Sequence, residues 1–183
     1  GFVTEKDAGE RFSEVFAAGY LQLAVPRVGG SILIGDFVIE SGKGLMFWRS
    51  SGVTKGGDVL GVAKPAETSV DPYRSTDENN FFRGVAFQKN LGPLSFNGFF
   101  SNKWLNGSRN EAGIITSLDS DGLFRIESEL NTRHTVREIM LGGLISVKPF
   151  DGFLATVKAS RVTLSHPAVL SRYKKFSGRH TDL

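Results

Sequence analysis

The chain has 183 residues, 40% of them hydrophobic and 22% charged, which is room for one substantial domain and too apolar for a disordered one. Lysine and arginine number 22 against 19 acidic residues, with no basic block of a size that marks a nucleic-acid surface, so no nucleic-acid partner is expected. Cysteine is absent, which excludes disulfides and thiolate metal sites.

Glycine (22 residues) and phenylalanine (15) are both abundant, a pairing that suits a β-protein with many turns and closely approaching strands. The longest apolar stretches, Leu45 to Trp48 and Ala17 to Val25, fall far below the ~20 residues of a membrane helix. Any crossing of a membrane must therefore use strands. The start, GFVTEKDAGE, has no initiator Met, basic region or apolar signal core, and reads as a processed terminus or a piece of a longer polypeptide.

A first strand is expected around Phe2 to Lys6, followed by a polar loop. Ala17 to Val25 alternates, with Leu21, Leu23 and Val25 on one face. After the turn at Pro26 to Gly30, Ser31 to Glu40 reads as a strand with Leu33, Phe37 and Ile39 on one face and Asp36 and Glu40 on the other. From 41 to 80 glycines, prolines and small polar residues break the pattern, and this span is expected as a long loop insertion within a single 1–183 unit.

Phe81 to Trp104 then reads as a hairpin. Leu94, Phe96, Phe100 and Trp104 line one face of its second strand, and Ser95, Asn97, Ser101 and Lys103 the other. A weaker strand is expected near Ile114 to Ser117. Glu127 to Met140 has some helix propensity, but the residues from Val136 onward read better as strand. Val136 to Lys148 and Phe153 to Leu164 form a second hairpin about the Pro149 to Gly152 turn, with Ile139, Leu141, Gly143, Ile145 and Val147 sharing a face.

Two architectures use such strands: a soluble sandwich, whose apolar faces meet one another, and a transmembrane barrel, whose apolar face meets lipid. Three features lean toward the barrel. Aromatics sit near strand ends at Trp48, Phe81, Phe82, Trp104, Phe150 and Phe153, as in a membrane-interface girdle. Charges occur mid-strand on the non-apolar face at Asp36, Arg83, Glu138 and Lys158. Short turns alternate with long polar connections.

Gly35 to Asp58, GDFVIESGKGLMFWRSSGVTKGGD, resembles a recurrent segment of large outer-membrane β-barrel proteins of Gram-negative bacteria that carry an N-terminal helix-hairpin-helix domain. The pattern rests on Gly35, Asp36, Phe37, Gly42, Lys43, Gly44, Leu45 and Trp48. Asp71 to Gly84, Ser117 to Glu129 and Glu5 to Glu10 fit the same family in the same order. The resemblance implies an all-β, antiparallel up-and-down transmembrane barrel in the outer membrane. Since the helix-hairpin-helix part and a terminal aromatic are missing, the chain is expected to be a contiguous internal portion of such a barrel, and no DNA binding carries over.

The expected role is structural, pore-forming or in assembly. The partners would be outer-membrane lipid, other envelope proteins or the rest of the same barrel. The alternative is a soluble extracellular β-sandwich binding a ligand on the aromatic face of the Phe81 to Trp104 hairpin. A charged lumen is expected from Asp36, Glu40, Lys43, Arg83, Arg125, Glu127, Glu129, Arg137 and Glu138, pairing across neighbouring strands.

Catalysis is not expected. Glu127 and Glu129 share a strand face beside Arg125, where an ion-pair cluster is the simpler reading; a barrel hydrolase using carboxylates is the enzymatic one. Ser41 to Gly44 lacks phosphate-loop spacing. His134, His166 and His180 lack metal-ligand spacing, so neither a metal nor another cofactor is expected. The Arg172 to Phe176 patch reads as a solvated loop.

Overall fold

The computed structural model describes residues 1–5, 16–42, 66–75, 80–118 and 132–168. These form ten strands: β1 (Phe2–Glu5), β2 (Phe16–Val25), β3 (Gly30–Gly42), β4 (Ala66–Pro72), β5 (Phe82–Leu91), β6 (Leu94–Leu105), β7 (Gly107–Arg109), β8 (Ile115–Leu118), β9 (Val136–Val147) and β10 (Ala155–Leu164). One 3-10 turn, Pro26–Val28, joins β2 to β3, and there is no α-helix among the described residues. The fold is all-β and antiparallel.

The expected strands recur within a residue or two at their ends, where pairing frays. Two elements depart from expectation. The 41–80 span is not wholly loop, because β4 pairs with the far half of β3. Its polar sequence, bounded by Pro65 and Pro72, masks it as a connection. The polar NGSR stretch likewise supplies β7, which pairs with β8 as a separate hairpin.

The main sheet has eight strands in the order β1-β2-β3-β5-β6-β9-β10, with β4 joined to β3. One edge of β3 is shared: Gly30 to Gly35 pair with β2 and Phe37 to Gly42 with β4, while β5 takes the opposite edge. Beyond Tyr20, β2 leaves β3 and pairs with β1. At this departure Gly35 has φ +110° and faces Gly84 of β5. A Cβ on Gly35 would collide with the Gly19 carbonyl oxygen, and one on Gly84 with that of Phe100. Only glycine lets three backbones approach so closely at a bend.

The sheet is strongly curled. Lys158 Nζ on β10 donates to the Ser41 carbonyl of β3, 2.8 Å away. A flat sheet would hold those strands four spacings apart, about 19 Å, far beyond a lysine's reach. The concave face packs Leu33, Phe37 and Ile39 of β3 with Val70, Ala86, Phe99 and Leu144 in one cluster spanning five strands. Phe37 is fully buried between the rings of Phe82 (5.6 Å) and Phe99 (6.4 Å). The β7–β8 hairpin closes one end of this interior, where Leu105, Ile115 and Val136 form a second buried group.

Among the described residues the curl does not close into a barrel. β10 pairs with β9 alone, and Leu21 to Val25 of β2 with β3 alone. All three tight turns, β2 to β3, β5 to β6 and β9 to β10, lie at one end of the sheet, and every longer connection lies at the other.

Candidate membrane-facing surface

Strand register sorts the side chains into two faces, because directly opposed residues point the same way. Leu21, Ile34, Val85, Phe100 and Leu141 align across β2, β3, β5, β6 and β9 as a single row. All five are on the convex side and between 43% and 60% exposed. The next row contains Leu23, Ile32 and Phe87, followed by Gly98, Gly143 and Ala159; the one beyond contains Phe96, Ile145 and Val157. Leu91 and Leu94 continue the surface to the tight turns. Gly98 is roofed by the Phe87 ring, which leaves no room there for a Cβ.

The alternation read for β6 and β9 therefore matches their exposed faces, whereas Leu21 to Ala24 of β2 are exposed on both sides. Phe96, Phe100 and Ile145 are not enclosed between two layers. On β3 the assignment inverts: Leu33, Phe37 and Ile39 are the interior set, and half-buried Ile32 and exposed Ile34 lie on the convex side. β3 is apolar on both sides over Ile32 to Ile39, so periodicity alone does not choose. A single step of register exchanges the faces.

That inversion moves the charges. Asp36 and Arg83 lie on the convex register side of Ile34 and Val85, not on the interior wall. Arg83 Nε and Nη2 donate to the two Asp36 carboxylate oxygens at 2.6 and 3.1 Å, and Nη2 also reaches the Ala17 carbonyl at 2.8 Å. Asp36 accepts the Gly19 N–H as well, at 2.8 Å. The pair thus fastens the departing end of β2 to β3 and β5. Glu40 takes the same convex register side of β3, opposite Ser69, and Arg137 is exposed on the convex side of β9.

Of the expected lumen charges that are described, only Glu138 lies within the concave face, buried and opposite Lys103. Among the described residues Lys103 and Lys158 also lie on this face, and neither belongs to the expected lumen cluster. Lys43, Arg125, Glu127 and Glu129 lie outside the described residues.

The rest of the concave face is polar and small: Gln88, Ser95, Asn97, Ser101, Ser146 and Thr156. Ser146 and Thr156 hydroxyls meet at 2.9 Å. Asn97 is buried, and neither its Oδ1 nor its Nδ2 has a hydrogen-bond partner among the described residues.

The expected aromatic girdle divides. Trp104 is 56% exposed on the convex face; Phe150 and Phe153 are exposed and meet in a tilted ring pair, 5.5 Å between centroids, in the β9–β10 turn. Phe81 is instead buried with Ala18, Val38 and Tyr73, beneath Lys103 and Arg83, and Phe82 packs on the interior cluster. Both lie where β3, β4 and β5 converge, so neighbouring strands cover them. Trp48 lies outside the described residues.

A groove of about 470 Å³ opens beside the β7–β8 hairpin, lined by Gly107, Arg109, Asn110, Glu111, Thr132 and Thr135. It holds an arginine, a carboxylate and the hydroxyls of Ser108, Thr132 and Thr135. Among the described residues no three His, Cys, Asp or Glu side chains gather at metal-ligating distance. No protein family, curated protein or solved structure matches the chain.

Proposed function

We propose that this chain is part of the wall of an outer-membrane β-barrel, with its convex face against lipid and a structural role in the envelope. The observation that carries the reading is the unbroken row Leu21–Ile34–Val85–Phe100–Leu141, exposed on five adjacent strands. Contiguous apolar surface on this scale is rare on soluble monomers. The opposite face holds most of the polar side chains, the inversion expected when the outside is hydrocarbon.

Strand length and connection asymmetry support the same reading. β2, β3, β5, β6, β9 and β10 have 10 to 13 residues; a tilted membrane strand needs about 9–11. Tight turns at one end and long connections at the other match the periplasmic and external sides of outer-membrane barrels. The sequence resemblance of Gly35 to Asp58 to helix-hairpin-helix-bearing barrel proteins points in the same direction. The packed concave cluster favours a wall with a filled interior over an open pore.

The absence of cysteine gives a clean test. Single-cysteine variants at Phe100 and Ile145 (convex) and at Ser95 (concave) are labelled with a polarity-sensitive fluorophore and refolded with lipid vesicles. The two convex labels should report hydrocarbon and the concave label should not. A monomer that folds to the same strand content in plain buffer, with all three labels unaffected by vesicles, would refute the proposal in favour of a soluble β-module.

A further inference from the structure

We infer that Asp151, in the β9–β10 turn, is a site of spontaneous backbone modification, where the side chain condenses with the Gly152 amide to a succinimide that reopens as isoaspartate. The inference stands whether the convex face meets lipid or water.

The step needs only water. Gly152 N attacks Asp151 Cγ; the new C–N bond forms as the amide proton and a carboxyl oxygen depart as water. Water then adds to one of the two ring carbonyls. Opening at Cγ restores aspartate. Opening at the main-chain carbonyl leaves the chain running through Cβ, with a free α-carboxylate. Nothing is oxidised or reduced, and the final mass is unchanged.

Four places in the sequence set Asn or Asp before glycine: Asn97, Asn106, Asp121 and Asp151. Without a Cβ, glycine leaves its amide nitrogen unobstructed and its backbone free to turn into the attack. Sequence alone ranks the two asparagines first, because an amide loses ammonia more readily than a carboxylic acid loses water. The fold reverses that order among the three described sites; Asp121 lies outside the described residues.

Asn97 is buried, and Gly98 sits mid-strand on β6, paired with Phe87 on one side and Gly143 on the other under the Phe87 ring. Its nitrogen cannot swing toward the side chain without breaking the ladder. Asn106 is buried too: its Oδ1 accepts the His134 N–H at 2.9 Å, and Gly107 N–H donates to the Thr132 carbonyl at 2.9 Å. Both reacting groups are held.

Asp151 has none of these restraints. Its side chain is fully exposed, and its ion pair with half-exposed Lys148 is long, 3.7 Å, hence weak. Gly152 has φ +93° with open space where a Cβ would be, and its N–H has no protein acceptor among the described residues. The turn is closed by a single 3.3 Å hydrogen bond, Phe153 N–H to the Phe150 carbonyl. The ladder begins beyond it, at Val147 and Ala155. An extra main-chain atom at 151 therefore leaves the strand register intact and parts the Phe150–Phe153 ring pair instead.

The test ages the full chain, folded in whichever medium supports it, plain buffer or phosphatidylcholine vesicles, beside a sample kept unfolded in guanidinium chloride. Isoaspartate and deamidation are located by fragmentation mass spectrometry, and the succinimide is trapped with hydroxylamine. In the folded chain, isoaspartate at 151 should exceed change at Asn97 and Asn106 by roughly tenfold or more, because those sites react only through local opening. In the unfolded sample the two asparagines should overtake it. D151E, which would have to close a six-membered ring, should form none, and D151N should react faster than the native aspartate.

Absence of isoaspartate at 151 in the folded chain overturns the inference, whatever D151N does. So does change at Asn97 or Asn106 as fast as at Asp151 in the folded chain, or isoaspartate at 151 that forms without a trappable succinimide.

Discussion

The two faces of the same strands obey opposite rules. On β6, Phe100 and Trp104 stand exposed on the convex side while their neighbours Phe99 and Ser101 are buried on the concave side. On β9, Leu141 and Ile145 are exposed while Leu144 and Ser146 are buried. In a water-soluble sheet the apolar face is the covered one and the polar face the open one. Here the uncovered face is the more apolar and the enclosed face contains a buried lysine, a buried glutamate and a buried asparagine. Burial and hydrophobicity are thus only loosely coupled in this sheet, which is the contrast the membrane proposal addresses.

The sharpest way to break this contrast is to truncate a phenylalanine on each face. Phe37→Ala removes a fully buried ring and should cost roughly 3–5 kcal/mol in detergent or lipid, measured by denaturant unfolding. Phe100→Ala, on the convex face, should cost a small fraction of that. Equal costs would mean that both faces are protein-packed.

Next in size is a charge placed in the exposed row. Phe100→Arg should destabilise the vesicle-inserted state by roughly 2–4 kcal/mol if the row lies near the bilayer midplane. The same substitution on a water-facing surface would be nearly neutral. The comparison of refolding yield in vesicles with that in short-chain detergent distinguishes these outcomes.

Asn97 tests the enclosed face. Two buried polar atoms without partners cost free energy, so Asn97→Leu, which has a similar shape, should raise stability by about 1 kcal/mol. A loss on substitution would instead mean that water or a ligand satisfies the amide and that the interior is wet at this depth.

The smallest effect concerns pH. His134, in the turn before β9, has φ 52° and donates its N–H to Asn106 Oδ1 at 2.9 Å. Burial first, then the positive charges of Arg133 and Arg83, hold its pKa below the ordinary value. The unfolded chain therefore takes up this proton more readily than the folded one. Its effect on stability is absent above the unfolded pKa of about 6.5 and grows as pH falls below it, levelling off under the folded pKa. His134→Asn keeps a residue tolerant of positive φ and should flatten that part of the stability–pH curve. An unchanged slope would assign the dependence to other groups.

Much of the fold is legible wherever one face of a strand is clearly apolar. β6 and β9 alternate without ambiguity, and their exposed residues are those the period of two selects. The reading fails at β3, where apolar side chains stand on both sides and the deciding information is which set the curl encloses. The placement of Asp36 and Arg83 fails with it, because their face is inherited from β3.

β4 escapes for a different reason. Its sequence, AETSVDP, is too polar to signal a strand, and it is held by the free upper edge of β3, a tertiary circumstance. The exposed face shows the same division: Trp104 announces itself by type and position, while the burial of Phe81 and Phe82 depends on the strands that converge over them.

The solitary margin of β10 has its own consequence. Every second one of its ten residues offers an amide and a carbonyl to whatever lies alongside, and in a bilayer hydrocarbon would provide no substitute for them. Any neighbour completing that ladder inherits its phase: the residue set against Val157 must look outward, and the one set against Lys158 inward. The last strand of this sheet thus dictates, two residues at a time, the greasy-and-polar rhythm of the next.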